Sequence, residues 1–266
     1  MTVAAPAQHS VTSSDGAQIA YWKSGVGPPL ALVHGSISDK TTWALVQPAL
    51  EQRFTVYAVN RRGREGSAPP APHTMDLEYE DVANVVDSIG EPVHLLGHSF
   101  GAVTALGATK LTSRLRSLIL YEPPMLGGGF SEMLDRVRAL VKEGRGDEVI
   151  TTFLTMAIQL EDEQVALIKS SPIWPSMVAH APNLLEELNA SADFTFDATT
   201  FADLNIPVLL LVGDASPPRS REVNEMLAKT LPSAKLVELP GQGHVAQLAA
   251  PDLFTEKVRE FLEGVG

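Results

Sequence analysis

The chain has 266 residues, a net charge of −12, 44% hydrophobic and 20% charged residues, and no cysteine. Such a length fits one large domain, or one domain carrying an insertion, with enough chain to bury a substantial core. The acidity argues against nucleic acid or an anionic membrane surface as partner, and the missing thiols exclude disulfides, thiolate nucleophiles and cysteine–metal centres.

In chain order, 11–22 alternates apolar and polar residues around Asp15-Gly16 and predicts a hairpin. Short, nearly continuous apolar runs follow at 29–33, 54–59, 93–96, 115–121, 207–212 and 234–239, the pattern of strands buried on both faces of a parallel sheet. Helical periodicity lies between them at 41–51, 79–89, 100–111, 220–231 and 253–262. Strand–helix alternation predicts an α/β fold with a doubly wound sheet. The interval 125–203 breaks the alternation: helical patterns run over 130–142, 147–158, 162–169 and 183–188, with Pro172, Pro175 and Pro182 as breaks. Residues 125–203 are therefore expected to form a helical cap, inserted into a core made of 1–124 and 204–266. The start at 1–10 lacks a signal-peptide pattern, and the apolar runs are far too short for a membrane span. The expected location is the cytoplasm.

Gly97-His98-Ser99-Phe100-Gly101 follows one apolar run and opens a helix rich in small residues. A serine on such a tight strand-to-helix turn presents its hydroxyl clear of the sheet, with the helix N-terminus beneath it. Ser99 is thus the expected nucleophile and the Phe100 amide one expected oxyanion donor. His34-Gly35-Ser36 ends the first buried run, and its glycine turn can present the Ser36 amide as the second donor. Of seven histidines, His244 in Gly241-Gln-Gly-His244 sits on a glycine loop before the last helix and is the expected base. His34 reads as a loop-holding residue, His94 as part of a strand, and His9, His73 and His180 as surface or cap residues.

Together these residues resemble the α/β-hydrolase superfamily over nearly the whole chain. His-Gly, the Asn60-Arg-Arg-Gly63 turn, Gly-His-Ser-Phe-Gly and Gly-Gln-Gly-His occur in that family's usual order. The resemblance implies a mostly parallel eight-stranded sheet flanked by helices, with a helical cap after the sixth strand. Two positions depart from it. Asn60 stands where aspartate is usual, and Ser216 stands at the usual position of the acid, three residues after Gly213. Two carboxylates can replace that acid: Glu122, at the end of the sixth strand before Pro123-Pro124, and Asp214, directly after Gly213. We place Glu122 first.

The resulting expectation is a serine hydrolase of a small-molecule ester or lactone, working through an acyl-enzyme without cofactor or metal. Met125, Phe130 and Trp174 are candidates for the substrate pocket, as are Met133, Phe153 and Met156. A serine nucleophile disfavours the dehalogenase and epoxide-hydrolase chemistries of this fold, which use aspartate. A cofactor-free perhydrolase or a carbon–carbon bond hydrolase stays open, as does a non-catalytic ligand-binding member; the oligomeric state, a homodimer included, is open too. Arg61, Arg62 and Arg64 form the one basic cluster and read first as a solvated loop, with contact to a polar substrate tail as the alternative, since the loop lies near the site face in the fold that the resemblance implies.

Overall fold

The computed structural model describes residues 6–69, 73–124, 131–192 and 194–265. The N-terminal hairpin is longer than its alternation suggests: β1 (Ala7–Thr12) pairs antiparallel with β2 (Gln18–Gly25). β3 (Pro29–Val33) follows. The segment 41–51, expected as one helix, divides into a 3₁₀ turn over Lys40–Trp43 and a single turn, α1 (Gln47–Leu50). Pro48 explains the division, because it has no amide hydrogen and its ring would strike the carbonyl one turn back in a continuous helix.

β4 (Thr55–Val59) leads to α2 (Met75–Ile89), which starts earlier than its apolar stripe because the Thr74 side chain caps it by accepting from the Leu77 amide at 3.2 Å. β5 (Val93–His98), α3 (Phe100–Ala108) and β6 (Leu115–Tyr121) complete the centre of the sheet. Then come the helices of the insertion, α4 (Ser131–Lys142), α5 (Gly146–Met156), α6 (Asp162–Lys169), α7 (Trp174–Ala179) and α8 (Ala181–Ala192). Pro175 and Pro182, which read as breaks, instead sit in the first turns of α7 and α8, where no amide donor is needed. The chain re-enters the sheet as β7 (Val208–Gly213), then continues through α9 (Pro218–Thr230), β8 (Ala234–Leu239), the short α10 (Ala246–Ala249) and α11 (Pro251–Gly264).

The eight strands lie in the order β1-β2-β4-β3-β5-β6-β7-β8, antiparallel at β1–β2–β4 and parallel elsewhere. Alternate residues feed two separate cores. Ala31, Val33, Leu95, Leu118 and Leu120 pack with α2, α3 and α9 on one face. Leu30, Leu32, Leu96, Ile119 and Tyr121 pack with α1 and α11 on the other. Burial on both faces is why these strands read as continuous apolar runs. The insertion has its own core, built on Met133, Val137, Val149, Ile150, Phe153, Trp174 and Leu184.

The strand order reverses at β3, with β4 on one side and β5 on the other. A crevice opens beyond the carboxyl ends of the strands at such a point, and ligands of open α/β sheets bind there. Among the described residues no helix is long and apolar enough to cross a membrane.

Candidate active site

The loops leaving β3, β5, β6 and β8 carry Ser36, Ser99, Glu122 and His244, and all four line one cavity of about 290 Å³. The insertion covers it. Met133, Phe153, Met156, Ile158, Leu184 and Leu188 supply an apolar wall, and the start of α9 supplies Pro217 and Arg219.

Ser99 sits between β5 and α3 with φ 55° and ψ −126°, a conformation that L-residues seldom adopt. Its neighbours make the turn possible by what they lack. A Cβ on Gly97 would fall 2.3 Å from the Gly101 carbonyl oxygen, and one on Gly101 would fall 2.4 Å from the Val33 and His34 oxygens. These contacts are with backbone, so nothing can swing aside. Gly101→Ala is expected to destabilise the fold by about 3 kcal/mol or more, in the upper range of overpacking costs. Thermal melting should then fall by roughly 6–12 °C, and an unchanged melting temperature would contradict this packing.

Backbone strain marks the same place. Among the described residues only Ile37, Ser99, Glu122 and Gln159 combine a side chain with a positive φ. Ser99, Glu122 and Gln159 line the cavity, and Ile37 follows Ser36. Backbone strain that gathers around one cleft is characteristic of a functional site.

His244 Nδ1 and Glu122 Oε2 lie 2.7 Å apart. Glu122 is 2% exposed, and its other oxygen accepts from the Gly213 amide at 2.8 Å and from the Ser216 hydroxyl. Burial opposes its ionisation, yet the bonds from His244, Ser216 and Gly213 outweigh burial and hold its carboxyl below the ordinary glutamate range. Ser216, at the usual acid position of the family that the sequence resembles, thus acts as a donor to Glu122. Asp214 is exposed and turns to the chain after β8, accepting from the Gly241 amide at 2.6 Å. The structure therefore brings Glu122, not Asp214, to His244.

Two residues hold the His244 loop. His98 Nε2 donates to the His244 carbonyl at 2.8 Å. Burial, then the proximity of His244, pushes the His98 pKa well below the ordinary histidine value, so it stays neutral. The Tyr121 hydroxyl donates to the Gly243 carbonyl and accepts from the Ala246 amide at 2.9 Å.

The basic cluster is not solvated. Arg61 and Arg62 are each 1% exposed and Arg64 is 3%. Arg61 makes a two-pronged contact with Glu78 at 2.9 and 2.8 Å and reaches Glu187 of α8 at 2.8 Å. Arg64 meets the same Glu187 oxygen at 2.7 Å, and Arg62 pairs with Asp81 at 2.7 and 2.9 Å. Carboxylates on α2 and α8 draw the three guanidinium groups inward, which a reading of the local run alone does not reveal. Burial disfavours ionised Glu78 and Glu187. Arg61, joined by Arg64 at Glu187, nonetheless holds both carboxyls below the usual range. Asn60 uses an amide's dual capacity: its oxygen accepts from the Lys40 amide at 2.8 Å and its nitrogen donates to the Glu65 carbonyl at 3.0 Å.

Of the candidate pocket residues, Met133, Phe153 and Met156 line the cavity. Trp174 does not: it is buried in the core of the insertion, with its indole nitrogen donating to Asp147 at 2.7 Å. That bond satisfies the one polar atom of a side chain otherwise needed as filling between α5 and α7. Met125 and Phe130 lie outside the described residues. Sequence reasoning missed Gln159, Glu187 and Arg219. The spacing Leu184, Glu187, Leu188, Ser191 is a helical stripe that pointed to an inward face of α8.

Residues 30–257 match the model of the alpha/beta hydrolase family. The crystal structure of an alpha/beta hydrolase from Sphaerobacter thermophilus is 34% identical, with a TM-score of 0.86 over 96% of this chain and 100% of that one. A thermophilic esterase from Thermogutta terrifontis, solved with malate bound, is 25% identical with a TM-score of 0.78 over 97% and 99%. A hydrolase from Pseudomonas aeruginosa is 24% identical with a TM-score of 0.80 over 96% and 98%, a likeness of fold.

Proposed function

This chain belongs to the alpha/beta hydrolase family, and on that premise we propose that it cleaves a carboxylic ester or lactone through an acyl-enzyme on Ser99. The observation that carries the proposal is the 2.7 Å His244–Glu122 pair beside a strained serine in one apolar-walled cavity. With Nδ1 donating to Glu122, Nε2 of His244 is the free basic nitrogen. Ser99 Oγ attacks the carbonyl carbon as Nε2 takes its proton, and the negative charge passes to the carbonyl oxygen. The Phe100 and Ser36 amides receive that oxyanion. Its collapse breaks the bond to the alkoxy oxygen, which leaves with the proton from Nε2. Water then adds to the acyl-enzyme by the same route and regenerates Ser99. Glu122 fixes the tautomer and offsets the imidazolium charge.

The cavity wall suits a small to medium apolar acyl group, and its 290 Å³ is at the lower end of small-molecule sites. The likeness to the Thermogutta esterase supports ester chemistry. Asn60 and the lack of the usual acid at position 216 speak for a non-catalytic binding member, and the Glu122 carboxylate bonded to His244 speaks against it.

Nucleophile partitioning tests the acyl-enzyme. Esters that share one acyl group but differ in alcohol are hydrolysed with hydroxylamine present. A common acyl-enzyme gives the same hydroxamate-to-acid ratio for every alcohol. A ratio that follows the leaving group, or no turnover across a panel of esters and lactones, counts against the proposal.

A further inference from the structure

The candidate oxyanion donor Ser36 N–H belongs to the peptide unit between Gly35 and Ser36, and the carbonyl of that unit is doubly anchored. Arg61 Nη1 donates to the Gly35 oxygen at 3.1 Å, and His34 Nδ1 donates to it at 2.8 Å. In a trans peptide the C=O and N–H point in opposite directions, so fixing the oxygen fixes the donor. Gly35 makes such anchoring necessary, since a glycine lets the following peptide plane rotate at little cost. The peptide also sits against the serine, because a Cβ on Gly35 would lie 2.9 Å from Ser99 Cβ.

Arg61 reaches the other donor residue as well. Its guanidinium carbon lies 4.5 Å from the Phe100 ring centroid. The group itself cannot drift, being gripped by Glu78 on α2 and by Glu187 on α8. His34 is locked in one neutral form. Its Nε2 accepts from the Arg61 amide at 3.2 Å, which leaves the proton on Nδ1 for the Gly35 oxygen.

We propose that Arg61 is a positioning residue of the oxyanion site, orienting the Ser36 amide through the Gly35 carbonyl while Glu187 ties it to the helical insertion. This rests on the acyl-transfer reading above. It assigns the buried arginine a role in transition-state binding, in addition to its part in the buried ion-pair network.

The test separates these roles. Arg61→Lys keeps the buried positive charge for Glu78 and Glu187 but loses the planar fork that reaches the Gly35 oxygen. Arg61→Met with Glu78→Gln removes both charges together and leaves Arg64 paired with Glu187. Each variant is assayed for kcat and KM on a p-nitrophenyl ester. Each is then titrated with an aryl trifluoromethyl ketone, which forms a tetrahedral oxyanion on a nucleophilic serine, and with the matching methyl ketone, which binds as a ground-state mimic.

The expected result in both variants is kcat lower by about 10- to 100-fold with KM within about twofold. Affinity for the trifluoromethyl ketone falls by the same factor and affinity for the methyl ketone is unchanged. A folded variant with wild-type kcat and wild-type trifluoromethyl ketone affinity overturns the role of Arg61 alone. So does a loss that appears in KM and in both ketones equally. A wild-type protein that forms no adduct with the trifluoromethyl ketone overturns the acyl-transfer reading, and the role of Arg61 with it.

Discussion

Ser99→Ala is expected to lower ester turnover by at least about 10⁴-fold, with the residual rate left to the proposed oxyanion donors and substrate binding. The side chain makes no hydrogen bond that caps α3, and the turn is held by backbone contacts: the Ser99 amide donates to the Tyr121 carbonyl at 2.8 Å, and the Ala102 amide to the Ser99 carbonyl at 2.8 Å. Melting temperature should therefore change little. Turnover of a p-nitrophenyl ester and a thermal melt on the same preparation check both halves. Retained turnover in a folded Ser99→Ala would remove Ser99 from the chemistry.

Glu122→Gln is expected to cost about 10³- to 10⁴-fold in kcat, whereas Asp214→Asn leaves kcat within about threefold. The hydrogen-bond pattern around Glu122 gives the reason. Gly213 N–H and the Ser216 hydroxyl both donate to one carboxylate oxygen. In the glutamine variant the amide oxygen must stay with those donors, so the NH₂ group faces His244 Nδ1. That nitrogen becomes an acceptor, the imidazole proton moves to Nε2, and the base is lost. Asp214 has no comparable hold, its carboxylate being exposed and directed at the Gly241 amide. The pH behaviour follows the same logic. A carboxyl held below its unfolded value of about 4.3 contributes stability that is fully present above that value, and is lost only as pH falls through the lower folded one. A decline in turnover on mild acidification is therefore not expected to come from protonation of Glu122. An equal loss in Glu122→Gln and Asp214→Asn would contradict the assignment.

The buried strands were legible because residues such as Leu30 and Ala31 feed opposite cores, which makes the run continuously apolar. The turn at Ser99 was legible because close approach demands glycine at 97 and 101, and the sequence carries it there. The choice of Glu122 came from an absence at 216 and a carboxylate at a strand end. Chain pattern alone left it beside Asp214, because only the β6–β7–β8 register decides which of the two faces His244. Trp174 misled because a large aromatic fills a helical core as readily as it lines a pocket. The arginines misled because their carboxylate partners lie 17, 19 and 126 residues away for the Arg61–Glu78, Arg62–Asp81 and Arg61–Glu187 pairs.

Ser99 is proposed to be a nucleophile activated by His244 and Glu122. Labelling with a fluorophosphonate probe, followed by peptide mass mapping, tests it most directly. One adduct is expected on the peptide containing Ser99, formed much more slowly in Glu122→Gln and abolished in His244→Ala. An adduct at another residue, or unchanged labelling of Ser99 in His244→Ala, would contradict it.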